Sequence, residues 1–319
     1  MSERFLVTGA HGCIGSWIVH ELLADGVPVV ALDLSSDASR LKLLVPAVEL
    51  ASVPFIEGDI TDAGTVDNAV AAHGITNVIH LAALQVPLCR ANPPLGAAVN
   101  VVGTVNVFEA VRNRSDTARA VVYASSVAAY DAPAEGADGG AMVAQPSTLY
   151  GVFKRANEGI AAVYADDFGV GSIGLRPHTV YGVGRDQGMT SAPTRAMLCA
   201  VAGIPYRIPF GGAIQFQYAR DVARAFIAAS RAVDANASVH DLPGRSTPME
   251  EIVAAIAASA PDAAISFEPN PLPFPSVLDG TPLEAVAGPL PETTLADGVR
   301  ETVERFRTLL ADGRVAAPR

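Results

Sequence analysis

The sequence predicts an α/β protein built on a doubly wound parallel sheet, with a smaller, discontinuous C-terminal domain. Three observations support this. Short apolar runs alternate with helical periodicity through the first half of the chain, which is typical of parallel strands covered by helices on both faces. A glycine-rich turn at residues 8–15 follows the first apolar run, and Asp33 ends the second. A turn and an acidic residue in these positions indicate a dinucleotide site.

The composition is that of an ordinary, acidic globular protein. The 319 residues include 22 Lys and Arg against 33 Asp and Glu, a formal net charge of −11, so neither nucleic acid nor a membrane is an expected partner. The three cysteines are far apart, and the six histidines show no metal-ligand spacing, so no metal is expected. Because the start leaves no room for a secretory segment, we expect a cytoplasmic protein.

The glycine turn is the first part of the predicted cofactor site. Residues 5–7 predict a strand, and apolar residues recur at helical spacing from Trp17 onward. Glycines in the turn would let the backbone approach a pyrophosphate, and free N–H groups at the helix start would complement its charge. The glycine spacing is weak evidence by itself, and the strand–turn–helix context strengthens it.

Asp33 ends a second buried strand, predicted over residues 27–32. A carboxylate in this position can accept hydrogen bonds from both hydroxyls of an adenosine ribose and would repel a 2′-phosphate. The preferred cofactor is therefore NAD rather than NADP. The alternative is an aspartate that only belongs to the turn after the strand.

Residues 54–58 and 77–81 predict the third and fourth strands, with a helix between them. Asp59 and Ile60 follow the third strand, at the sheet edge where an adenine ring would lie. Asp59 could equally cap the following helix. Residues 81–83 are small or apolar, which suits close passage of the backbone past a cofactor.

Two serines follow the fifth strand, which is predicted over residues 120–124 after a helix over residues 94–113. Ser125 and Ser126 thus reach the carboxyl edge of the sheet, where ligands of such folds bind. Residues 131–145, rich in Ala, Gly and Pro, predict a loop that could act as a lid.

Tyr150 and Lys154 lie four residues apart in a helix predicted over residues 147–167, so their side chains share one helical face. A phenol is a poor base at neutral pH, and a neighbouring ammonium would lower its pKa. Taken alone, the two residues could be a solvated surface pair. Their place in a strand–helix chain with a nucleotide turn favours acid–base chemistry.

A second domain is predicted beyond the sixth strand, because the regular alternation ends near residue 178. We assign residues 1–178, with about 215–242, to the nucleotide-binding domain. Residues 179–214 and 243–319 are assigned to a substrate-binding domain.

Together these segments resemble the extended short-chain dehydrogenase/reductase superfamily, in its NAD-dependent epimerase/dehydratase family, over essentially the whole chain. The resemblance implies a Rossmann fold and NAD as the cofactor. It rests on residues 8–15, Asp33, 59–60, 81–83, Asn100, 124–126 with Tyr130, 150–154, 175–177 and 181–182. The implied cofactor contacts are Gly9, His11, Gly12, Cys13, Ile14, Gly15, Asp33, Leu34, Asp59, Ile60, Leu81, Ala82, Ala83, Asn100, Tyr150, Lys154, Pro177 and His178.

The resemblance also implies the catalytic roles. Tyr150 would take a carbinol proton, and Lys154 would lower the Tyr150 pKa and hold the nicotinamide ribose. Ser126 would hydrogen-bond the substrate oxygen, with Ser125 as the alternative. His178 is expected to be a polar cavity wall rather than a catalyst.

Departures from the family pattern narrow the reaction. Dehydratases of the family carry an Asp-Glu pair after the catalytic hydroxyl, whereas apolar residues follow Ser126 here. The diphosphate-binding arginine of nucleotide-sugar enzymes falls on Ile214, and an asparagine of the same enzymes is Thr179. Both changes weaken the case for a nucleotide diphosphate on the substrate. Arg185, Arg195 or Arg207 could replace the arginine, or each could be an ordinary surface residue.

The resulting prediction is an NAD-dependent oxidoreductase that transfers hydride at a secondary alcohol or ketone of a small sugar-like or hydroxy-acid substrate. Candidate substrate contacts are Ser125, Ser126, Thr179 and Arg185, with further polar residues of 184–190. The alternatives are a nucleotide-sugar epimerase with tightly bound NAD and a non-catalytic NAD-binding regulator. The resemblance further implies a homodimer formed by the helices that carry Asn100 and Tyr150. The apolar side chains of Val107, Val111, Ile160 and Val163 are compatible with this interface and would equally suit a core.

Overall fold

The computed structural model describes residues 3–130, 146–278, 282–290 and 292–318. The predicted lid at residues 131–145 lies outside the described residues. The strands are β1 (Phe5–Thr8), β2 (Val29–Asp33), β3 (Phe55–Glu57), β4 (Asn77–His80), β5 (Ala120–Ala124), β6 (Ser172–Arg176), β7 (Thr179–Tyr181), β8 (Tyr206–Ile208), β9 (Ala213–Tyr218), β10 (Ala237–Asp241), β11 (Ser246–Pro248) and β12 (Ile265–Phe267).

The helices cover both faces of the main sheet and build most of the second domain. The α-helices are α1 (Cys13–Ala24), α2 (Ser39–Leu44), α3 (Ala47–Leu50), α4 (Ala63–His73), α5 (Val86–Ala91), α6 (Pro93–Ala97), α7 (Gly103–Arg112), α8 (Leu149–Phe168), α9 (Ala192–Ala202), α10 (Ala219–Ala232), α11 (Met249–Ser259), α12 (Glu284–Ala287) and α13 (Leu295–Ala311). A π-helical turn, Ala98–Val102, joins α6 to α7.

Within the described residues, seven parallel strands form the main sheet in the order β10-β6-β5-β4-β1-β2-β3. The chain builds outward from β1 to β3 and then continues at β4, on the other side of β1. This reversal creates a switch point between β1 and β4, where ligands of doubly wound sheets bind. The predicted fold class is confirmed.

Alternate residues of β1 pack into two different hydrophobic clusters, one on each face of the main sheet. Phe5 and Val7 belong to the hydrophobic cluster that includes Trp17 of α1. Leu6 belongs to the other cluster, with Phe108 of α7. Because alternate side chains of a strand point to opposite faces, a fully apolar strand indicates a sheet covered on both sides.

The second domain contains two small sheets among the described residues. One has the order β11-β9-β7, and the other pairs β8 with β12. The sequence-based boundary near residue 215 falls inside β9, which belongs to the first of these sheets. The chain then returns to the main sheet, because α10 packs on α1 and β10 pairs with β6.

The helix predicted over residues 94–113 is interrupted by the π-helical turn. Among the described residues, Pro93–Arg112 is the one helical run long and apolar enough to cross a membrane by length and composition alone. Its fully buried residues, such as Val107 and Phe108, pack in the second cluster beside α4 and α8. A core helix passes the same test, so the run is weak grounds for a membrane span.

Candidate active site

A cleft of about 720 Å³ follows the carboxyl edge of the main sheet. It is lined at one end by the glycine turn and Asp33, and at the other by Ser126, Tyr150 and Lys154. The strand register explains this convergence: Thr8 pairs with His80, and the next two strands end at Ala124 and Arg176. The residue after each strand therefore reaches the same edge.

The glycine turn holds the backbone too tightly for side chains. Gly9 has φ +70°, and a Cβ there would lie 2.7 Å from the backbone nitrogen of Ala82. A Cβ on Gly15 would lie 2.2 Å from the carbonyl oxygen of Gly9. The cap residue of α1, Gly12, makes no side-chain cap hydrogen bond. The first N–H donors of α1 thus remain for an anionic ligand, which fits a pyrophosphate.

Asp33 is fixed against this turn. Its Oδ2 accepts a hydrogen bond from the backbone N–H of His11, at 2.9 Å. The His11 ring donates from Nδ1 to the carbonyl oxygen of Ser35, at 2.8 Å, and stacks on Phe55. Leu34 lines the cleft and is 66% exposed. A carboxylate held beside the pyrophosphate turn fits an adenosine ribose.

The wall beyond Asp33 carries the other predicted adenine contacts. Asp59 and Ile60 line the cleft; Asp59 is exposed and Ile60 is buried. The helix-capping alternative for Asp59 is wrong, because Asp62 is the cap residue of α4 and accepts a hydrogen bond from the N–H of Gly64. Asp59 instead accepts from the N–H of Thr61, at 2.8 Å.

Asn100 differs from its expected role as a cofactor contact. Its side chain is buried and does not line the cleft. Its Oδ1 accepts from the N–H of Leu84, at 2.7 Å, and its Nδ2 donates to the carbonyl oxygen of Leu84, at 2.9 Å. Asn100 therefore fixes the segment that continues the cleft wall from Leu81, Ala82 and Ala83, all three of which line the cleft. A π-helical turn at this position is in keeping with the frequent occurrence of such turns at functional sites.

Tyr150 lies in the first turn of α8, whose cap residue Thr148 accepts a hydrogen bond from the N–H of Gly151. Burial raises the pKa of the Tyr150 phenol. The Ser126 hydroxyl, as a hydrogen-bond partner, and the charge of Arg185 lower it. We predicted from the sequence that Lys154 would lower the Tyr150 pKa. In the structure Lys154 is not one of the groups that act on this pKa.

Lys154 is buried, and its Nζ donates to the carbonyl oxygen of Ala124, at 2.6 Å. Its Nζ lies 5.5 Å from the centroid of the Tyr150 ring. Burial lowers the pKa of Lys154 to about 8, because no carboxylate in the described part of the chain compensates its charge. Lys154 is therefore a cation that titrates close to neutral pH at the base of the cleft.

His80 lies near Lys154 as a neutral ring. Its Nδ1 is 2.7 Å from the hydroxyl of Thr8, and its Nε2 is 3.1 Å from the hydroxyl of Thr104. Burial, assisted by the charge of Lys154, lowers the pKa of His80 to about 3. The ring therefore links β1 to α7 without placing a second charge beside Lys154.

The two serines after β5 differ in direction, and this corrects the prediction for Ser125. The Ser125 hydroxyl donates to Oε1 of Glu158, at 2.6 Å, and its side chain is buried. The Ser126 oxygen accepts from the N–H of Ala128, at 3.1 Å, so its proton remains available to the cleft. Only Ser126 therefore offers a hydroxyl toward Tyr150.

His178 and Thr179 form a closed polar wall. The Thr179 hydroxyl lies 3.1 Å from His178 Nδ1, and His178 Nε2 donates to the carbonyl oxygen of Pro275, at 3.0 Å. Burial lowers the pKa of His178 to about 4. Both ring nitrogens are occupied, so His178 has no free nitrogen for catalysis. Thr179 is fully buried, although it lines the cleft beside Pro177.

Arg185 is the predicted substrate contact with an unsatisfied buried donor. Its guanidinium donates to the hydroxyl of Thr190, at 2.9 Å, while its buried Nε has no hydrogen-bond partner among the described residues. Ile214, which replaces the diphosphate-binding arginine, is a buried core residue. Arg195 and Arg207 are exposed and lie outside the cleft. Of the three candidate replacements, Arg185 alone lines the cleft.

Other cleft-lining residues had no sequence signal. Arg40 donates to Oδ1 of Asp186, at 2.7 Å, and to the carbonyl oxygen of His11, at 3.3 Å, so it joins the glycine turn to the loop that carries Arg185. Gln85 and Phe274 line other walls. None of these residues belongs to a recognisable motif, and their positions depend on long-range packing.

Comparison with known proteins identifies related sequences along the chain. The NAD dependent epimerase/dehydratase family matches residues 5–242. A UDP-glucose 4-epimerase of Mycolicibacterium smegmatis is 34% identical over 319 residues, covering 95% of this chain and 98% of the relative.

Solved structures of the same fold include enzymes of two kinds. A Thermus thermophilus UDP-glucose 4-epimerase in complex with NAD superimposes with a TM-score of 0.77 at 29% identity, covering 95% of this chain and 99% of that one. A partial-consensus L-threonine 3-dehydrogenase superimposes with a TM-score of 0.81 at 25% identity, covering 96% and 99%. The similar structures thus include both an epimerase and a net dehydrogenase.

Proposed function

The chain belongs to the NAD-dependent epimerase/dehydratase family of extended short-chain dehydrogenase/reductase enzymes, and from this premise we propose hydride transfer at a secondary alcohol or ketone of a small sugar-like or hydroxy-acid substrate. One observation carries the proposal. Ser126, Tyr150 and Lys154 lie together at one end of a cleft whose other end is the glycine turn with Asp33. A nucleotide-binding end and an acid–base end in one cleft suit this chemistry.

The residues of the cleft fit NAD. The N–H groups at the start of α1 would hold the pyrophosphate, and Asp33 would accept from the adenosine ribose hydroxyls. Asp59 and Ile60 would border the adenine, and the backbone at residues 81–83 would pass close to the cofactor. Lys154 would donate to the nicotinamide ribose. When bound, NAD supplies the hydride acceptor or donor of the reaction.

In the oxidation direction, we assign the proton to Tyr150. Its ionised phenol accepts the carbinol proton as the carbon–hydrogen bond breaks. The free Ser126 hydroxyl proton is directed at the substrate oxygen and stabilises the charge that develops there. The charge of Arg185 favours the ionised phenol over the neutral one. Reduction uses the same groups in reverse.

We assign recognition of an anionic substrate group to Arg185. Its Nε is buried without a partner in the described part of the chain, and a buried unsatisfied donor is costly unless a ligand pairs with it. A carboxylate accepts bidentate hydrogen bonds from arginine. With Ile214 in place of a diphosphate-binding arginine, a carboxylate-bearing sugar or hydroxy acid suits the cleft better than a nucleotide sugar.

NADH formation with a panel of sugar acids and hydroxy acids, each matched with its neutral alcohol or amide, tests the proposal. We expect the acids to be oxidised in preference to their neutral partners. Arg185→Gln should raise KM for the acids by about tenfold or more and leave the neutral partners unaffected, since it removes a charge-assisted contact. Arg195→Gln, outside the cleft, is the matched control. No NADH from any member of the panel would contradict a net dehydrogenase.

A nucleotide-sugar epimerase is the second candidate, because a UDP-glucose 4-epimerase matches the chain nearly end to end. An epimerase needs NAD to stay bound through each turnover, whereas a dehydrogenase exchanges it. Mass spectrometry of ligand released from freshly purified protein distinguishes the two. Retained NAD together with interconversion of a UDP-sugar and its epimer would replace the first proposal.

A non-catalytic regulator is a third possibility, and Tyr150→Phe tests it. The substitution should abolish turnover of whichever substrate the panel identifies and leave NAD binding intact. Unchanged turnover would show that Tyr150 has no catalytic role.

We propose that the protein is a cytoplasmic homodimer. Exposed apolar side chains on α8 and its neighbours, at Val102, Val152 and Val163, suit a helical interface. Val107 and Val111, which the sequence offered for this interface, are instead buried in the core of one chain. Light scattering should give twice the chain mass of 32.9 kDa. The chain mass itself would rule the dimer out.

A further inference from the structure

Two consecutive serines follow β5 and line the cleft, and their hydroxyls have different hydrogen-bond partners. Ser126 acts on the Tyr150 phenol as a hydrogen-bond partner. Ser125 donates to Oε1 of Glu158, at 2.6 Å, in a fully enclosed position. The second contact lies outside the catalytic set, yet it fixes the residue next to Ser126.

Glu158 is a rigid anchor for this contact. Arg176 donates to both of its carboxylate oxygens, from Nε at 2.7 Å and from the other end of the guanidinium at 2.8 Å. Arg155 donates to Oε2, at 2.7 Å. Burial, the largest single effect, would raise the pKa of Glu158. The hydrogen bonds and charge of Arg176, together with hydrogen bonds from Ser125 and Arg155, outweigh burial and lower the pKa. Bidentate pairing to a buried carboxylate restricts its movement.

Helix α8 therefore holds the end of β5 at two successive residues. Lys154 donates to the carbonyl oxygen of Ala124, and Glu158, one helical turn later, accepts from Ser125. Tyr150 lies one turn before Lys154 on the same helix. Side chains four residues apart share a helical face, so the position of Ser126 relative to Tyr150 is set through this face.

Arg176 extends the anchor to the neighbouring strands. It follows Leu175 in β6, and its guanidinium contacts the hydroxyl of Tyr130, which also contacts Asp241 of β10. The Arg176 guanidinium lies 4.4 Å from the centroid of the Tyr130 ring. This network joins β6, β10 and α8 and restricts the movement of the Glu158 carboxylate.

We infer that Ser125, Glu158 and Arg176 are positioning residues that hold the Ser126 hydroxyl against the Tyr150 phenol. The inference rests on the proposed roles of Ser126 and Tyr150. A purely structural role for Ser125, namely satisfying Glu158, predicts altered stability and an unaltered Tyr150 environment. A positioning role predicts that removing the Ser125 hydroxyl changes the environment of the Tyr150 phenol, although the Ser125 hydroxyl donates to Glu158 and not to Tyr150.

NMR of protein labelled at tyrosine Cζ provides a readout that needs no substrate. The chain has seven tyrosines, so Tyr150 is assigned as the resonance lost in Tyr150→Phe. The groups that act on its pKa are the Ser126 hydroxyl, Arg185 and Cys89, with Lys154 nearby. The resonance is followed at fixed pH and across the pH range in which the protein stays folded, in wild type, Ser126→Ala, Ser125→Ala and Arg155→Ala.

We expect Ser125→Ala to move the Tyr150 resonance in the same direction as Ser126→Ala, by at least half as much. Arg155→Ala should leave it unchanged, because Arg155 is half-exposed and contacts the other carboxylate oxygen of Glu158. Glu158→Gln provides a second variant. Its charge does not act directly on the Tyr150 pKa, so any displacement it causes is transmitted through position.

The inference is overturned if Ser125→Ala leaves the Tyr150 resonance at its wild-type position, if Ser126→Ala also leaves it there, or if Arg155→Ala moves it as far as Ser125→Ala. Thermal unfolding of each variant shows that the comparison is between folded proteins.

With a substrate from the panel, Ser125→Ala should lower kcat by about tenfold with KM within about twofold. A displaced resonance in a protein that oxidises no substrate would refute the proposed function and leave the positioning role standing.

Discussion

Lys154 is predicted to make the protein more stable as pH rises through the weakly alkaline range. An ordinary lysine has a pKa of 10.5, and burial lowers that of Lys154 to about 8 in the folded protein. Between these values the unfolded chain binds the proton and the folded chain does not. Stability increases with pH wherever the unfolded state binds more protons. The sign is opposite to that of a lysine with a carboxylate partner.

The magnitude follows from the two pKa values. At about pH 7 both states hold the proton, and the contribution of Lys154 to the pH dependence is near zero. At about pH 10 the folded state has lost the proton while most unfolded chains retain it, which amounts to about 2.5 kcal/mol of added stability. Lys154→Met removes the titrating group. The stability of wild type relative to Lys154→Met should therefore rise by about 2.5 kcal/mol between these two pH values.

Urea unfolding of wild type and Lys154→Met at the two pH values measures their difference in stability at each pH. The change of this difference with pH is the double difference, from which the titration of other groups cancels. Lys42→Met is a matched control, because Lys42 is exposed on α2 and is the chain's other lysine. NMR of protein labelled at lysine Cε then gives two lysine resonances, one for each residue. A Lys154 resonance that titrates with an ordinary lysine pKa, or a double difference near zero, would refute the reasoning from burial.

Three further predictions concern the cleft. Tyr150→Phe should lower kcat by about 10²- to 10⁴-fold, the usual contribution of a general acid or base, with NADH binding unchanged by fluorescence titration; a smaller loss would assign the proton elsewhere. Asp33→Ala should shift the ratio of NADP to NAD affinity by about tenfold or more toward NADP, because it removes the ribose acceptor and its repulsion of a 2′-phosphate; an unchanged ratio in the same titrations would contradict this. Arg40→Ala, which breaks the ion pair with Asp186, should speed NAD release in stopped-flow displacement. Arg207→Ala, which breaks a surface ion pair with Glu268 outside the cleft, should leave the rate of NAD release unchanged.

The sequence was informative where local pattern decides structure. The strand–turn–helix of residues 5–24 and the acidic end of β2 depend on neighbouring residues in the chain, so the doubly wound fold could be predicted from them. The same segments led to the family and to NAD as its cofactor, and the comparisons confirm both. Backbone conformation and hydrophobic periodicity are short-range properties, which is why they can be read from the chain.

Side-chain direction was not predictable in this way. Asn100, in the π-helical turn, matched a family position, yet its side chain does not line the cleft. Its amide instead makes two hydrogen bonds to the backbone of Leu84. Val107 and Val111 fitted an interface or a core equally well by periodicity. The packing of α7 against the sheet decided for the core.

The choice between the two serines shows what the sequence and the tertiary structure each determined. The sequence by itself delivered Ser125 and Ser126 to the carboxyl edge of the sheet and placed Tyr150 and Lys154 on one helical face. It left the two hydroxyls as alternatives. Their directions were decided by Glu158, 33 residues from Ser125, and by the Arg176 that fixes Glu158. A buried hydroxyl turns toward the strongest acceptor that the fold brings within reach, and only the folded chain brings that carboxylate to the end of β5.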